Sequence, residues 1–179
     1  MIEPSSLQER AARIRLLLMD CDGVLTDGRI WLPTNSDDQK EFHTRDGLGL
    51  ELFHSAGLIT GVISGRPSSA VERRTRGLGM TYVRLGCDDK LLAFNETIRT
   101  AAVSTDQVAF IGDDLNDIPL MKRSGLAVAV ADASAETIGS AHYVTKAAGG
   151  DGAVREVIEL ILKAQDRWAD VIAKFLGDS

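Results

Sequence analysis

Short, almost unbroken apolar runs alternate along this chain with longer amphipathic stretches, and that alternation restricts the fold more than any other feature. The runs are Ile14–Met19, Leu58–Ile63, Val108–Ile111 and Leu126–Val130, with Met80–Leu85 a weaker member. A strand with one solvated face alternates apolar and polar residues. An unbroken run is what a strand covered on both faces requires. Between the runs, Gly47–Ala56, Pro67–Leu78, Lys90–Ala102 and Asp117–Ser124 follow helical spacing, with Pro67 suited to a first helical turn. This order predicts an α/β fold: one Rossmann-like, mostly parallel sheet with helices on both faces, in a single domain spanning residues 1–179.

Two segments break the rhythm. Residues 28–44 are polar and turn-rich at their centre, Pro33 to Asp38, and are flanked by Ile30, Trp31, Leu32 and Phe42. They read as a β-hairpin flap following the first strand. From Gly152 to about residue 176 the chain reads as one long helical pattern, with Val154, Val157, Ile158, Ile161, Trp168, Val171, Ile172 and Phe175 in an apolar stripe. No repeat, low-complexity linker or separate cap domain is expected.

Composition excludes several classes. With 20 basic and 26 acidic residues the net charge is −6, against the basic surface expected of a general nucleic-acid binder. No apolar run is long enough to span a membrane, and the N-terminus carries no apolar signal core. Cys21 and Cys87 form no paired framework, and His43, His54 and His142 are scattered without a zinc-binding spacing. A reducing, cytoplasmic location is expected.

In open parallel sheets, ligands bind beyond the carboxyl ends of the strands. The first run ends Asp20-Cys21-Asp22-Gly23-Val24-Leu25-Thr26-Asp27. Side chains two apart in extended chain point the same way, so Asp20 and Asp22 start on one side. Two such carboxylates repel, so that one would normally protonate, and a divalent cation would keep a nucleophile ionised. Another run leads into Gly112-Asp113-Asp114-Leu115-Asn116-Asp117. If the two ends are neighbours, five carboxylates converge, and an all-oxygen set suits magnesium. Ser64-Gly65-Arg66 follows a third run and offers a hydroxyl, main-chain N–H groups and a guanidinium to an anion. Ser64 also has the alternative role of a helix cap. Lys90 opens a helix, where its charge opposes the dipole, which suggests a partner in the acidic site.

Taken in order, DxDGVxTD, an apolar strand ending Ser-Gly, a lysine, then GDDLND resemble the four motifs of the haloacid dehalogenase superfamily over about Ile14 to Gln165. The resemblance implies that Asp20 attacks phosphorus and becomes an aspartyl-phosphate, and that Asp22 serves as acid and then as base. It implies that Ser64 and Lys90 hold the phosphoryl group. Magnesium would take Asp20, the main-chain carbonyl of Asp22 and Asp113. Asp114 and Asp117 would orient Lys90 or water on the metal.

Further strings narrow the likeness: Thr26-Asp27-Gly28, Phe42 to Gly49, Ile63 to Arg66, Val130 to Ala133, and Gly149 to Glu156. They are similar to those of the capless 3-deoxy-D-manno-octulosonate 8-phosphate (KDO 8-phosphate) phosphatase family. That likeness implies a small phosphorylated sugar acid as substrate, contacts from Thr26, Gly65 and Arg66, lipopolysaccharide biosynthesis, and a homotetramer whose subunits cover each other's sites. Exposed Trp31 and Phe42 would suit such contacts, or would pack on their own subunit. Phosphatases of nine-carbon keto-sugar acids share most of these strings, and Arg66 favours the eight-carbon substrate. A silent or phospho-accepting interaction module is the alternative outside enzymes; it would have no use for both Asp20 and Asp22.

Overall fold

The structure is a computed structural model that describes residues 4–31 and 39–177. Its centre is a six-stranded sheet in the order β3-β2-β1-β4-β5-β6. The strands are β1 (Leu16–Met19), β2 (Ile59–Ile63), β3 (Tyr82–Arg84), β4 (Val108–Gly112), β5 (Leu126–Ala129) and β6 (Tyr143–Val144). Every neighbouring pair is parallel. The helices are α1 (Pro4–Ala12), α2 (Thr44–Ser55), α3 (Ser69–Gly77), α4 (Lys90–Ala101), α5 (Ile118–Met121), α6 (Ala135–Gly139), α7 (Ala153–Ala164) and α8 (Trp168–Leu176).

The unbroken apolar runs are explained by the two faces of β1. Leu16 and Leu18 point into one core with Phe94, Phe110, Leu120 and Met121. Leu17 and Met19 point into the other with Leu50, Phe53, Ile111 and the inner stripe of α7. All four β1 side chains are fully buried. Burial of this kind is worth about 2 kcal/mol per large aliphatic side chain. The central strand is held from both sides, and the site is built at its end.

Several boundaries depart from expectation. Pro67 is not in the first turn of its helix: Ser68 caps α3 by accepting the Val71 N–H, which leaves Pro67 outside. The tail is two helices rather than one. Asp166 has φ of 55°, the Asp166 N–H donates to Lys163 O and the Arg167 N–H to Leu162 O. That pairing closes α7 in a Schellman turn before α8 begins. β6, α1 and α6 lie outside the runs and stretches picked out from the sequence. At the two ends of the expected hairpin, Trp31 and Gln39 form an isolated antiparallel bridge; its centre, Pro33 to Asp38, lies outside the described residues. Trp31 is 60% exposed. Phe42 is half-buried, packed on the core with the Arg74 guanidinium 5.8 Å from its ring centre. No helix among the described residues is long and apolar enough to cross a membrane.

Candidate active site

The site begins where β1 and β4 end side by side. Met19 is opposite Ile111, and the Asp20 N–H extends the ladder by donating to Ile111 O at 3.0 Å. That bond fixes the Asp20 backbone at the edge of the sheet. The chain then winds tightly: Cys21 O accepts from the N–H groups of Val24, Leu25 and Thr26. Gly23 makes this winding possible with φ of +92°, a region where a side chain is strained.

Asp20, Asp113 and Asp117 each place an oxygen within 4.8 Å of the others. Lys90, the first residue of α4, reaches into this cluster. Its Nζ lies 2.9 Å from Asp20 Oδ1 and donates to Asp117 Oδ1 at 2.9 Å. The helix start therefore tolerates a cation because two carboxylates answer it, while Asp89 caps the helix by accepting the Leu91 and Leu92 N–H groups. Asp117 is fully buried and both its oxygens are engaged, Oδ2 by the Asp113 N–H at 3.1 Å.

Charge is only partly balanced. Burial, and then the Asp117 carboxylate, push Asp20 up to about 6 against the pull of Lys90. Burial, followed by Asp20 and Asp117, pushes Asp113 up to about 8. Burial works against the Lys90 charge, but Asp117 and Asp20 outweigh it and raise its pKa. Three carboxylates facing one ammonium leave excess negative charge, and Asp113 Oδ1 is buried without a hydrogen-bond partner. An oxygen-only donor set with a spare buried oxygen fits a hard dication such as magnesium. Asp20 and Asp113 have the oxygens to offer it; Asp117, committed to Lys90 and to backbone, braces the cluster.

Three carboxylates gather here, not the five expected. Asp22 turns to Lys40, whose Nζ donates to Asp22 Oδ1. Asp114 is exposed and its carboxylate accepts the Leu115 N–H at 2.8 Å, capping the short turn Leu115–Asp117. Of the two acids expected to orient Lys90 or water on the metal, Asp117 is the one bonded to Lys90. Thr26 is fully buried; its hydroxyl donates to Cys21 O and accepts the Gly28 N–H. With both bonds inside the loop, Thr26 shapes the turn that follows Asp20.

Ser64 is held at the same edge. Its N–H donates to Arg84 O at 2.8 Å, one step beyond the β2–β3 ladder, and its Oγ accepts the Arg66 N–H at 3.3 Å. Ser64 is 4% exposed, whereas Gly65 and Arg66 are exposed beyond it.

Two features of the site went unread in the sequence. One is Lys40. The other is the Gly149-Gly150 pair, which packs on the Asp20–Asp27 loop: the Gly150 N–H donates to Val24 O at 2.9 Å, and the Gly149 N–H to Asp132 Oδ1 at 2.9 Å. A Cβ on Gly149 would lie 1.7 Å from Gly23 O. Two adjacent glycines ahead of a helix were the available signal for such a close approach.

Comparison with known proteins identifies the family. Residues 86–158 match the family model of haloacid dehalogenase-like hydrolases. The chain is 46% identical over 159 residues to the 3-deoxy-D-manno-octulosonate 8-phosphate phosphatase KdsC of Yersinia pestis, covering 89% of this chain and 85% of that one. It is 44% identical to the KdsC of Salmonella typhi over 158 residues, covering 88% and 84%. Among solved structures, the KDO 8-phosphate phosphatase of Moraxella catarrhalis, in complex with magnesium ion, phosphate ion and KDO, superposes with a TM-score of 0.94 at 38% identity, covering 97% of this chain and 99% of that one. The chain belongs to the KDO 8-phosphate phosphatase family of haloacid dehalogenase-like hydrolases.

Proposed function

We propose that this chain hydrolyses the phosphate ester of KDO 8-phosphate through an aspartyl-phosphate on Asp20. The observation that carries the proposal is the placement of Asp20 at the end of the central strand, within 4.8 Å of Asp113 and Asp117 and paired with Lys90. The substrate is supported by the names of the relatives and by the exposed Arg66 beside Ser64.

In the first step an Asp20 oxygen bonds to phosphorus and the ester bond breaks, while the departing sugar oxygen takes a proton from Asp22. In the second, water attacks phosphorus and gives its proton to the Asp22 carboxylate. The aspartyl bond then breaks, returning Asp20 and releasing phosphate. Lys90 and Ser64 hold the phosphoryl oxygens, with Gly65 and Arg66 at the rim for the sugar acid. Asp117 aims Lys90. Asp20, Asp113 and the Asp22 carbonyl would hold magnesium, which would supply positive charge against the repulsion between carboxylate and phosphate.

The same reading includes a homo-oligomer, with a tetramer favoured. It is supported by the exposed Trp31 beside the site loop and by the lack, among the described residues, of a cap over the site. Light scattering in solution checks it. Cys21 and Cys87, which are not joined in a disulfide, support a reducing, cytoplasmic setting.

Phosphate release from a panel of phosphorylated sugar acids tests the substrate. The expected result is a preference for KDO 8-phosphate over nine-carbon analogues, dependence on magnesium, and loss of turnover in Asp20→Asn. Preference for another class would overturn the substrate, and full turnover in Asp20→Asn would overturn the chemistry.

A further inference from the structure

The residue proposed above as acid and base is tied to the flap. Lys40 Nζ donates to Asp22 Oδ1 in a charged hydrogen bond. The Lys40 side chain is 1% exposed and that of Asp22 18%. Lys40 directly follows Gln39, whose N–H donates to Trp31 O at 3.2 Å in the bridge that closes the hairpin base. A lysine side chain gives up much of its rotamer freedom when fixed. Burial of its ammonium is tolerated only beside an anion. That cost is met here at the acid-base residue rather than at the surface.

Asp22 needs such a tether. It sits on a tightly wound loop rather than on a strand, it is only partly buried, and it lies outside the cluster of Asp20, Asp113 and Asp117. With Oδ1 bound by Lys40, the rotation of the carboxyl is fixed and Oδ2 is left to exchange the proton. We propose that Lys40 is a positioning residue that orients the Asp22 carboxyl toward the leaving oxygen and couples the catalytic loop to the base of the flap. The proposal rests on the acid-base reading of Asp22.

The test compares two leaving groups in the first turnover, with magnesium saturating. Release of KDO from its 8-phosphate needs a proton for the departing alkoxide. Release of p-nitrophenolate from p-nitrophenyl phosphate does not. Rapid-quench rates are measured for the native chain, Asp22→Ala, Lys40→Met and Lys40→Arg. Lys40→Met is expected to slow KDO release about 10- to 100-fold while changing p-nitrophenolate release less than about 3-fold. Lys40→Arg, which keeps the charge and a donor, is expected to recover most of the loss. Equal losses on both substrates, or no loss on either, would overturn the proposal. Asp22→Ala separates the two readings. If it shows no leaving-group selectivity, the acid-base role of Asp22 fails; if it does and Lys40→Met does not, the positioning role alone fails. Should Lys40→Met not fold, Lys40→Gln, which keeps the stem and a neutral donor, is read by the same ratio.

Discussion

Gly23 and Asp113 touch across the gap between the ends of β1 and β4: a Cβ built on Gly23 would lie 2.1 Å from Asp113 Oδ2. The turn that carries the chain away from Asp20 is thus shaped around the acid contributed by the neighbouring strand. Gly23→Ala should fail twice. The positive φ costs about 1–2 kcal/mol for a residue with a side chain. Displacing the Asp113 carboxylate by even an ångström should also cost about 100-fold in activity. Thermal melting and phosphate release read the two losses separately, and an active, stable Gly23→Ala would show that the contact is unimportant.

Lys90 is the ammonium joined to both Asp20 and Asp117 at 2.9 Å. Lys90→Met should leave a fully buried Asp117 facing Asp20 with no cation between them. Removing one partner of a buried pair costs about 3 kcal/mol or more. Loss of a group that meets transition-state charge costs about 100-fold or more in kcat. Denaturant titration and steady-state kinetics check both. Turnover within a few-fold of the native chain would remove Lys90 from the machinery.

The raised carboxyls set a pH dependence of known sign. Asp20 and Asp113 rise from an ordinary 3.8 to about 6 and about 8, chiefly through burial. The folded chain therefore holds protons that the unfolded chain has released between these values. Their contribution to stability is complete below the unfolded pKa and is lost as pH rises through the folded values. The metal-free protein should melt at progressively lower temperature from about pH 5 to pH 8. Magnesium should restore most at the alkaline end, and Asp113→Asn should flatten the slope and inactivate the enzyme. A metal-free melting temperature that rises over this range would contradict the assignment.

Much of this was legible before any coordinates. The strands β1, β2, β4 and β5 are covered on both faces, so their apolar runs are dense and their ends stand out. The acids at those ends, and Lys90 with its charge misplaced at a helix start, were readable for the same reason. β3 was weaker because its residues are only half-buried, and β6 is two residues long with Val144 exposed. The break at Asp166 was hidden because apolar spacing continues through it from Ile161 to Trp168; only the backbone reveals the left-handed residue. Lys40 was hidden for another reason. It pairs with Asp22 across 18 residues, and no local pattern marks a contact made by a loop folding back.

Asp46 illustrates a contact of the same long range. It is 2% exposed and accepts the N–H groups of Gly152 at 3.2 Å and Arg155 at 2.7 Å, capping α7 from α2 because Gly152 has no side chain to do so. Asp46→Ala should destabilise the chain by about 1–2 kcal/mol. Asp46→Asn, which keeps one acceptor, should lose less. Since α7 follows the Gly149-Gly150 pair that braces the Asp20 loop, Asp46→Ala should also lower kcat. Chemical denaturation and kinetics on the same samples check both effects.

The central claim is that Asp20 carries the phosphoryl group between substrate and water. Rapid acid quench during turnover of KDO 8-phosphate, followed by borohydride reduction and peptide mass analysis, measures it directly, because reduction of an aspartyl-phosphate leaves homoserine. Homoserine at position 20 alone, formed only when magnesium and substrate are both present, is the predicted result. Homoserine at Asp22 or Asp113, or none anywhere during active turnover, would contradict it.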